Sequence, residues 1–151
     1  ILVYTRNGKC IRFNEKAVRS LGRATRGVRG IKLVGDDLVV GMDVIKKNDT
    51  PMLLTIMENG YGKKTVVKEF NAQSRGGMGV KIAEVTQKTG KVSSSQVVPP
   101  NCKEVIITSL KGQVVRIDID SIPKLSRATQ GVILMRFSKT DDKIAAITCV
   151  E

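Results

Sequence analysis

The chain has 151 residues, the size of one ordinary domain or of a short stack of repeated units. Lysine and arginine number 26 against 14 acidic residues, and a net charge of +12 calls for a polyanionic partner, nucleic acid first and an anionic membrane surface second. Histidine is absent, which excludes Ser-His-Asp and Cys-His catalysis and leaves too few ligands for an ordinary zinc site.

The first predicted strand, Leu2–Thr5, leads into Asn7-Gly8 and then a second strand, Lys9–Phe13. Asn-Gly between strand-like runs predicts a hairpin with a type I′ turn, whose two central residues both need positive φ. A loop rich in Arg, Gly and small residues follows: Arg19-Ser20-Leu21-Gly22-Arg23-Ala24-Thr25-Arg26-Gly27. Two more strands, Val28–Val34 and Leu38–Ile45, close the unit around Gly35-Asp36-Asp37. In Arg29-Gly30-Ile31-Lys32-Leu33 the alternation is period two.

This layout then recurs. Displaced by 52 residues, the sequence superposes on itself without a gap: Gly8, Gly60 and Gly112 coincide, as do Arg23, Arg75 and Arg127. Gly27, Gly79 and Gly131 coincide too, each followed by valine, and so do the cations Arg12, Lys64 and Arg116. Strands are predicted at Leu53–Met57 and Gly62–Val67 in the second unit, and at Val105–Thr108 and Gln113–Ile119 in the third. Proline-bearing linkers at Lys46–Pro51 and Val98–Lys103 divide the chain into units 1–49, 50–102 and 103–151. Four short strands per repeated unit, with no helical periodicity, predict an all-β, propeller-like fold of antiparallel four-stranded blades. Three blades cannot close a ring, and the chain starts inside a strand, so it is expected to be three blades of a larger disc.

Charge falls along the repeat, with 11 basic and 5 acidic residues in unit one, 7 and 3 in unit two, and 8 and 6 in unit three. Glycine lets a backbone approach another surface closely, and arginine offers a planar fork matched to phosphate oxygens. One such loop per blade predicts a row of cationic clamps. With aromatics at 3% and no Trp, base-stacking platforms are not evident, so the pattern favours duplex DNA held by its phosphates. The candidate contacts are Arg12, Arg23, Arg26, Arg29, Lys63, Lys64, Arg75, Lys81, Arg116 and Arg127. Arg23, Arg75 and Arg127 could instead cap their own loops, and the other cations could be solvated surface charge.

Cys10, Cys102 and Cys149 are an odd set with no close pair, which fits a reducing cytoplasm and makes the sequon-like Asn48-Asp49-Thr50 accidental. No apolar run reaches membrane-spanning length, and no membrane partner or metal is expected. Asp36-Asp37 and Asp141-Asp142 align as turn residues rather than as a metal pair. Gly60–Thr65 lacks the spacing and the strand-to-helix setting of a phosphate-binding loop.

The phrases Gly22–Leu33, Val39-Val40-Gly41-Met42-Asp43, Glu58–Thr65 and the glycine-rich Gln73–Gly79 closely resemble the C-terminal domain of DNA gyrase A, over essentially the whole chain. A related domain occurs in the corresponding protein of topoisomerase IV. The resemblance implies a β-pinwheel, whose blades exchange a strand with their neighbours and whose basic rim bends duplex DNA so that negative supercoils result. It implies a non-catalytic module without cofactors. The parent would be an ATP-dependent topoisomerase whose catalytic tyrosine lies elsewhere than Tyr4 or Tyr61. Implied partners are the remaining blades and catalytic region of that parent, and the gyrase B protein; the implied setting is the bacterial cytoplasm and nucleoid. The family's hallmark box reads Gln-Arg-Arg-Gly-Gly-Lys-Gly and belongs to its first blade. Here Gln73-Ser74-Arg75-Gly76-Gly77-Met78-Gly79 replaces two of the cations, as a degenerate copy in a later blade would.

Overall fold

A computed structural model describes residues 1–46 and 49–151. The first linker and the Asn48 sequon therefore lie partly outside the described residues. Eleven strands form three antiparallel sheets: β1 (Leu2–Thr5), β2 (Lys9–Arg12), β3 (Val39–Asp43), β4 (Met52–Met57), β5 (Tyr61–Val66), β6 (Val80–Lys81), β7 (Val92–Val97), β8 (Glu104–Ser109), β9 (Val114–Asp118), β10 (Val132–Ile133) and β11 (Ile144–Val150). The sheet orders are β3-β1-β2-β6, β10-β5-β4-β7 and β11-β8-β9. Single 3-10 turns at Glu15–Ala17, Val67–Glu69 and Ile119–Ser121 keep the 52-residue period. No sequence signal had marked them.

The hairpin turns differ from the type I′ expectation. Gly8, Gly60 and Gly112 have φ of 81°, 87° and 83°, but among the described residues Asp141 is the only non-glycine at positive φ. Each glycine donates its N–H to the carbonyl three residues back: Thr5 at 3.1 Å, Met57 at 3.0 Å and Ser109 at 3.1 Å. That is a three-residue loop, a type I turn closed by a left-handed glycine. Asp37 and Asp142 cap these hairpins, accepting from the backbone N–H of Asn7 and of Lys111 at 2.8 and 3.0 Å.

The fourth strand of a sheet comes from the next unit. β6 of unit two pairs with β2 of unit one (Lys9↔Lys81, Cys10↔Val80), and β10 of unit three pairs with β5 of unit two (Tyr61↔Ile133, Gly62↔Val132). Val28–Val34, predicted as a strand, forms none: its equivalents are strands only where a preceding edge receives them. The glycine before each exchanged strand meets a bare backbone. A Cβ on Gly79 would lie 2.5 Å from the Cys10 carbonyl oxygen, and one on Gly131 2.5 Å from that of Gly62.

The two larger cores follow this exchange and sit between units, while a smaller one (Val3, Ile11, Phe13, Ile31) lies within unit one. One joins Leu2, Tyr4 and Cys10 of unit one to Leu53, Met57, Phe70 and Ile82 of unit two. The next joins Leu54 and Ile56 to Val105, Ile107, Met135 and Ile144 of unit three. Strand periodicity sends alternate residues of β4 into different cores, so both of its faces are buried.

Gly79→Ala is expected to cost about 3 kcal/mol or more, from left-handed strain plus collision with backbone that cannot rotate away. Gly27→Ala has the same sign of φ but nothing within 4 Å among the described residues, and should cost only about 1–2 kcal/mol. Urea unfolding midpoints of the two variants check the ordering.

Candidate nucleic-acid interface

The ten cations expected at an anion-binding surface separate by what their side chains reach. Arg23, Arg26 and Arg29 are exposed on the irregular loop between β2 and β3, and their guanidinium groups make no hydrogen bond or ion pair among the described residues. A short turn shapes the loop, in which the Thr25 hydroxyl donates to the Gly22 carbonyl at 2.8 Å. The far end is fastened by Ile31, which is buried with Val3, Ile11 and Phe13. Sequence reasoning had assigned no role to Arg19 and Lys32, which are exposed on the same segment. Alternation around buried Ile31 was the signal that could have found Lys32.

Lys81 and Arg116 are exposed but paired. The Lys81 ammonium lies 2.7 Å from Glu84, and Arg116 donates from Nε to Glu104 Oε2 at 2.6 Å. Surface pairs of this kind hold a side chain loosely.

The other five reach into the protein, which corrects the expectation that all ten face a ligand. Lys63 is fully buried, donating to the carbonyls of Ser126 and Arg127 at 2.7 Å each and to the Thr129 hydroxyl at 3.0 Å. Its strand position places it under the loop of unit three, where unit one has Ile11 and unit three has Val115. Lys64 is buried too and donates to the Ile119 carbonyl at 2.6 Å. Arg12, its counterpart in unit one, donates to the Phe70 carbonyl at 3.2 Å. Both side chains fasten a β-strand to the 3-10 region of the next unit. Arg75 donates from Nε to the Ala17 carbonyl at 2.8 Å and from Nη1 to the Arg29 carbonyl at 2.5 Å. Arg127 donates from Nη1 to the Lys81 carbonyl at 3.4 Å.

The box-like segment runs across unit one rather than away from it. The Gln73 N–H donates to the Arg12 carbonyl at 2.7 Å, and that of Gly76 to the Gly30 carbonyl at 2.8 Å. Gly77 accepts from the Lys32 N–H at 2.9 Å. The side chains of Gln73, Ser74 and Met78 are exposed, and Gly79 seats the exchanged strand. The tyrosines are structural: the Tyr4 hydroxyl donates to Asp43 at 2.6 Å, and buried Tyr61 lies under the Lys88 ammonium. Burial, with the Asp43 carboxylate beside it, pushes the Tyr4 hydroxyl well above its usual range. Gly60–Thr65 forms a hairpin turn and β5, with no helix beside it.

The family model described as DNA gyrase C-terminal domain, beta-propeller, matches residues 1–46, 51–99 and 103–151. The chain belongs to this family. Among curated members, the DNA gyrase A protein of Staphylococcus epidermidis is 38% identical over 136 residues, which is 90% of this chain and 15% of that protein. The DNA gyrase A protein of Haloquadratum walsbyi is 39% identical over 141 residues, 93% of this chain and 16% of that protein. The chain thus spans about one-sixth of the length of these relatives. A solved DNA gyrase A C-terminal domain overlays with a TM-score of 0.81 at 23% identity, covering 98% of this chain and 49% of that one. A topoisomerase IV C-terminal domain overlays at 0.88 and 22% identity, covering 99% and 46%. At these identities the overlays speak to the fold. Of the ten candidate cations, Arg23, Arg26 and Arg29 are the three whose side chains have no hydrogen-bond or ion-pair partner among the described residues.

Burial pushes the Lys63 ammonium down to about 8, while its three acceptors favour the charged form. The unfolded chain then holds that proton more tightly than the folded one. Stability should therefore rise with pH from about 8 toward the ordinary lysine value of 10.5, by at most about 3 kcal/mol. Lys63→Met should lose this rise while lowering stability near neutral pH by about 2 kcal/mol, because two buried carbonyls lose their donor. Urea unfolding of both proteins at intervals between pH 7 and 10 measures the difference.

Proposed function

We propose that this chain is a DNA-binding and DNA-wrapping module of a type IIA topoisomerase, as the gyrase A C-terminal domain. It takes duplex DNA by its phosphates along a basic rim and so directs negative supercoiling. The observation that carries the reading is the exposed loop with Arg23, Arg26 and Arg29 free of protein partners, in a member of this family. Three guanidinium groups without protein partners on one loop form a cationic surface with no aromatic residue among them, suited to phosphate rather than to base stacking. Exposed Lys81 and Arg116 extend the rim in units two and three by exchanging a carboxylate for a phosphate. Arg12, Lys63, Lys64, Arg75 and Arg127 support it from within.

In this reading units 1–49, 50–102 and 103–151 are three blades of one larger β-pinwheel. The module catalyses nothing itself. The remaining blades and the catalytic region of the parent topoisomerase, with the gyrase B protein in the holoenzyme, supply strand passage in the bacterial cytoplasm and nucleoid. The topoisomerase IV counterpart, whose C-terminal domain shares this fold, is the second reading. A topology assay on nicked plasmid religated with the protein distinguishes wrapping with a defined handedness from simple binding.

Duplex binding should weaken with salt, log affinity falling by about 0.9 per log unit of salt for each phosphate neutralised. Reversing Arg23, Arg26 and Arg29 together should lower affinity more than reversing Lys103 and Lys143. Fluorescence anisotropy with unrelated duplexes should show little sequence preference. A flat salt dependence would instead fit a protein-interaction scaffold.

A further inference from the structure

The arginine shared at positions 23, 75 and 127 was expected to grip phosphate, yet in two of its three occurrences it grips protein. Arg75 spans two carbonyls of unit one, Ala17 through Nε and Arg29 through Nη1. Fifty-two residues later the corresponding residues of unit two are held again, one by the side chain and one by the backbone. The Arg127 side chain donates to the Lys81 carbonyl, and its backbone N–H donates to the Glu69 carboxylate at 3.0 Å. Lys81 corresponds to Arg29, and Glu69 to Ala17. The flanking ladder repeats as well: Lys32 N–H donates to Gly77 at 2.9 Å, and Glu84 N–H to Thr129 at 3.0 Å. The glycines of the box-like segment serve the same contact. Gly76 donates to Gly30, and a Cβ built on it would lie 3.4 Å from the Arg29 carbonyl oxygen.

We propose that Arg75 and Arg127 are positioning residues: each clasps the base of the preceding unit's rim segment and aims the cation borne there, Arg29 or Lys81, outward at the DNA. Two of the five N–H donors of Arg75 are taken by unit one's carbonyls, which turns the plane of its fork toward protein. The residue whose carbonyl it holds points its own side chain into solvent, because Arg29 is exposed. The box-like segment thereby acts on DNA through unit one's loop rather than through its own charge. In unit two the arrangement is reinforced from beneath, since buried Lys63 fixes the carbonyls of Ser126 and Arg127. Arg23 belongs to the same column, but its guanidinium holds no carbonyl among the described residues.

The inference rests on the DNA-wrapping reading, and a double-mutant cycle on duplex affinity tests it. Arg29→Ala should lower affinity roughly eightfold at 0.1 M salt, the counterion-release value for one phosphate, and reduce the salt slope by about 0.9. Arg75→Ala should lose about as much and no more, and adding Arg29→Ala to it should cost less than a further twofold, with no further change in slope. Arg75→Lys, which keeps the charge but lacks the separate Nε and Nη1 donors that reach Ala17 and Arg29, should behave as Arg75→Ala does. Multiplicative losses, or near-normal binding by Arg75→Lys, would mean that Arg75 touches DNA itself and would overturn the clasp. Amide hydrogen exchange without DNA supplies an independent arm. Gly76 and Lys32 should exchange faster in Arg75→Ala while the β8 amides of Val105 and Ile107 stay protected. Unchanged exchange at Gly76 and Lys32 overturns the clasp whatever the DNA result. If the native chain shows no salt-dependent binding while exchange does accelerate, the DNA reading fails and the clasp between units stands, without its role in aiming cations.

Discussion

Gly79 and Gly131 press directly on the backbone of the unit before them, and from this contact the remaining geometry follows. The approach brings Val80 and Val132 into register with the second strand of that unit and completes its sheet. Any side chain at the glycine would hold the two backbones apart and remove the exchanged pairing with them. Because each unit finishes the sheet of its predecessor, the two larger hydrophobic cores form between units, and β4 divides its side chains between them. A single unit lacks both its fourth strand and half of its core, so the units depend on one another for stability.

The same adjacency divides the positive charge. A cation on the second strand of a unit lies beneath the incoming segment of the next unit, and its shortest route to an acceptor is a backbone carbonyl there. Lys63, Lys64 and Arg12 take that route. Desolvating an ammonium is costly, and the two carbonyls and one hydroxyl around Lys63 offset the cost, so its charge contributes to architecture and little to the outer field. On the loop between β2 and β3 no carbonyl stands within reach of Arg23, Arg26 or Arg29 among the described residues, and these three remain available to a polyanion. Net charge by itself does not measure a binding surface.

Much of this was legible beforehand. The gapless recurrence of glycine and arginine at 52-residue spacing marked the repeat, and alternation of apolar residues placed the hairpins of all three units to within about one or two residues. The loop around Arg23–Arg29 stood out through charge density and glycine content. The turn type did not, because Asn-Gly suits both a two-residue loop and the three-residue loop found, and the choice depends on cross-strand register. Nor did the fate of Val28–Val34, whose β-like pattern matches β6 and β10 but which no strand edge receives among the described residues.

The sequence by itself determined the repeat, the all-β class, the positions of the tight turns and the cationic character of the loops, since each follows from local spacing and side-chain chemistry. Tertiary structure alone decided which cations face outward. Lys63 and Arg29 read alike along the chain, as charged residues beside glycine in a β-rich stretch. One lies under the Ser126–Thr129 loop, and the other has its backbone held from behind by Arg75, which leaves its side chain in water. That difference arises from contacts between residues more than forty positions apart, and no local pattern encodes it.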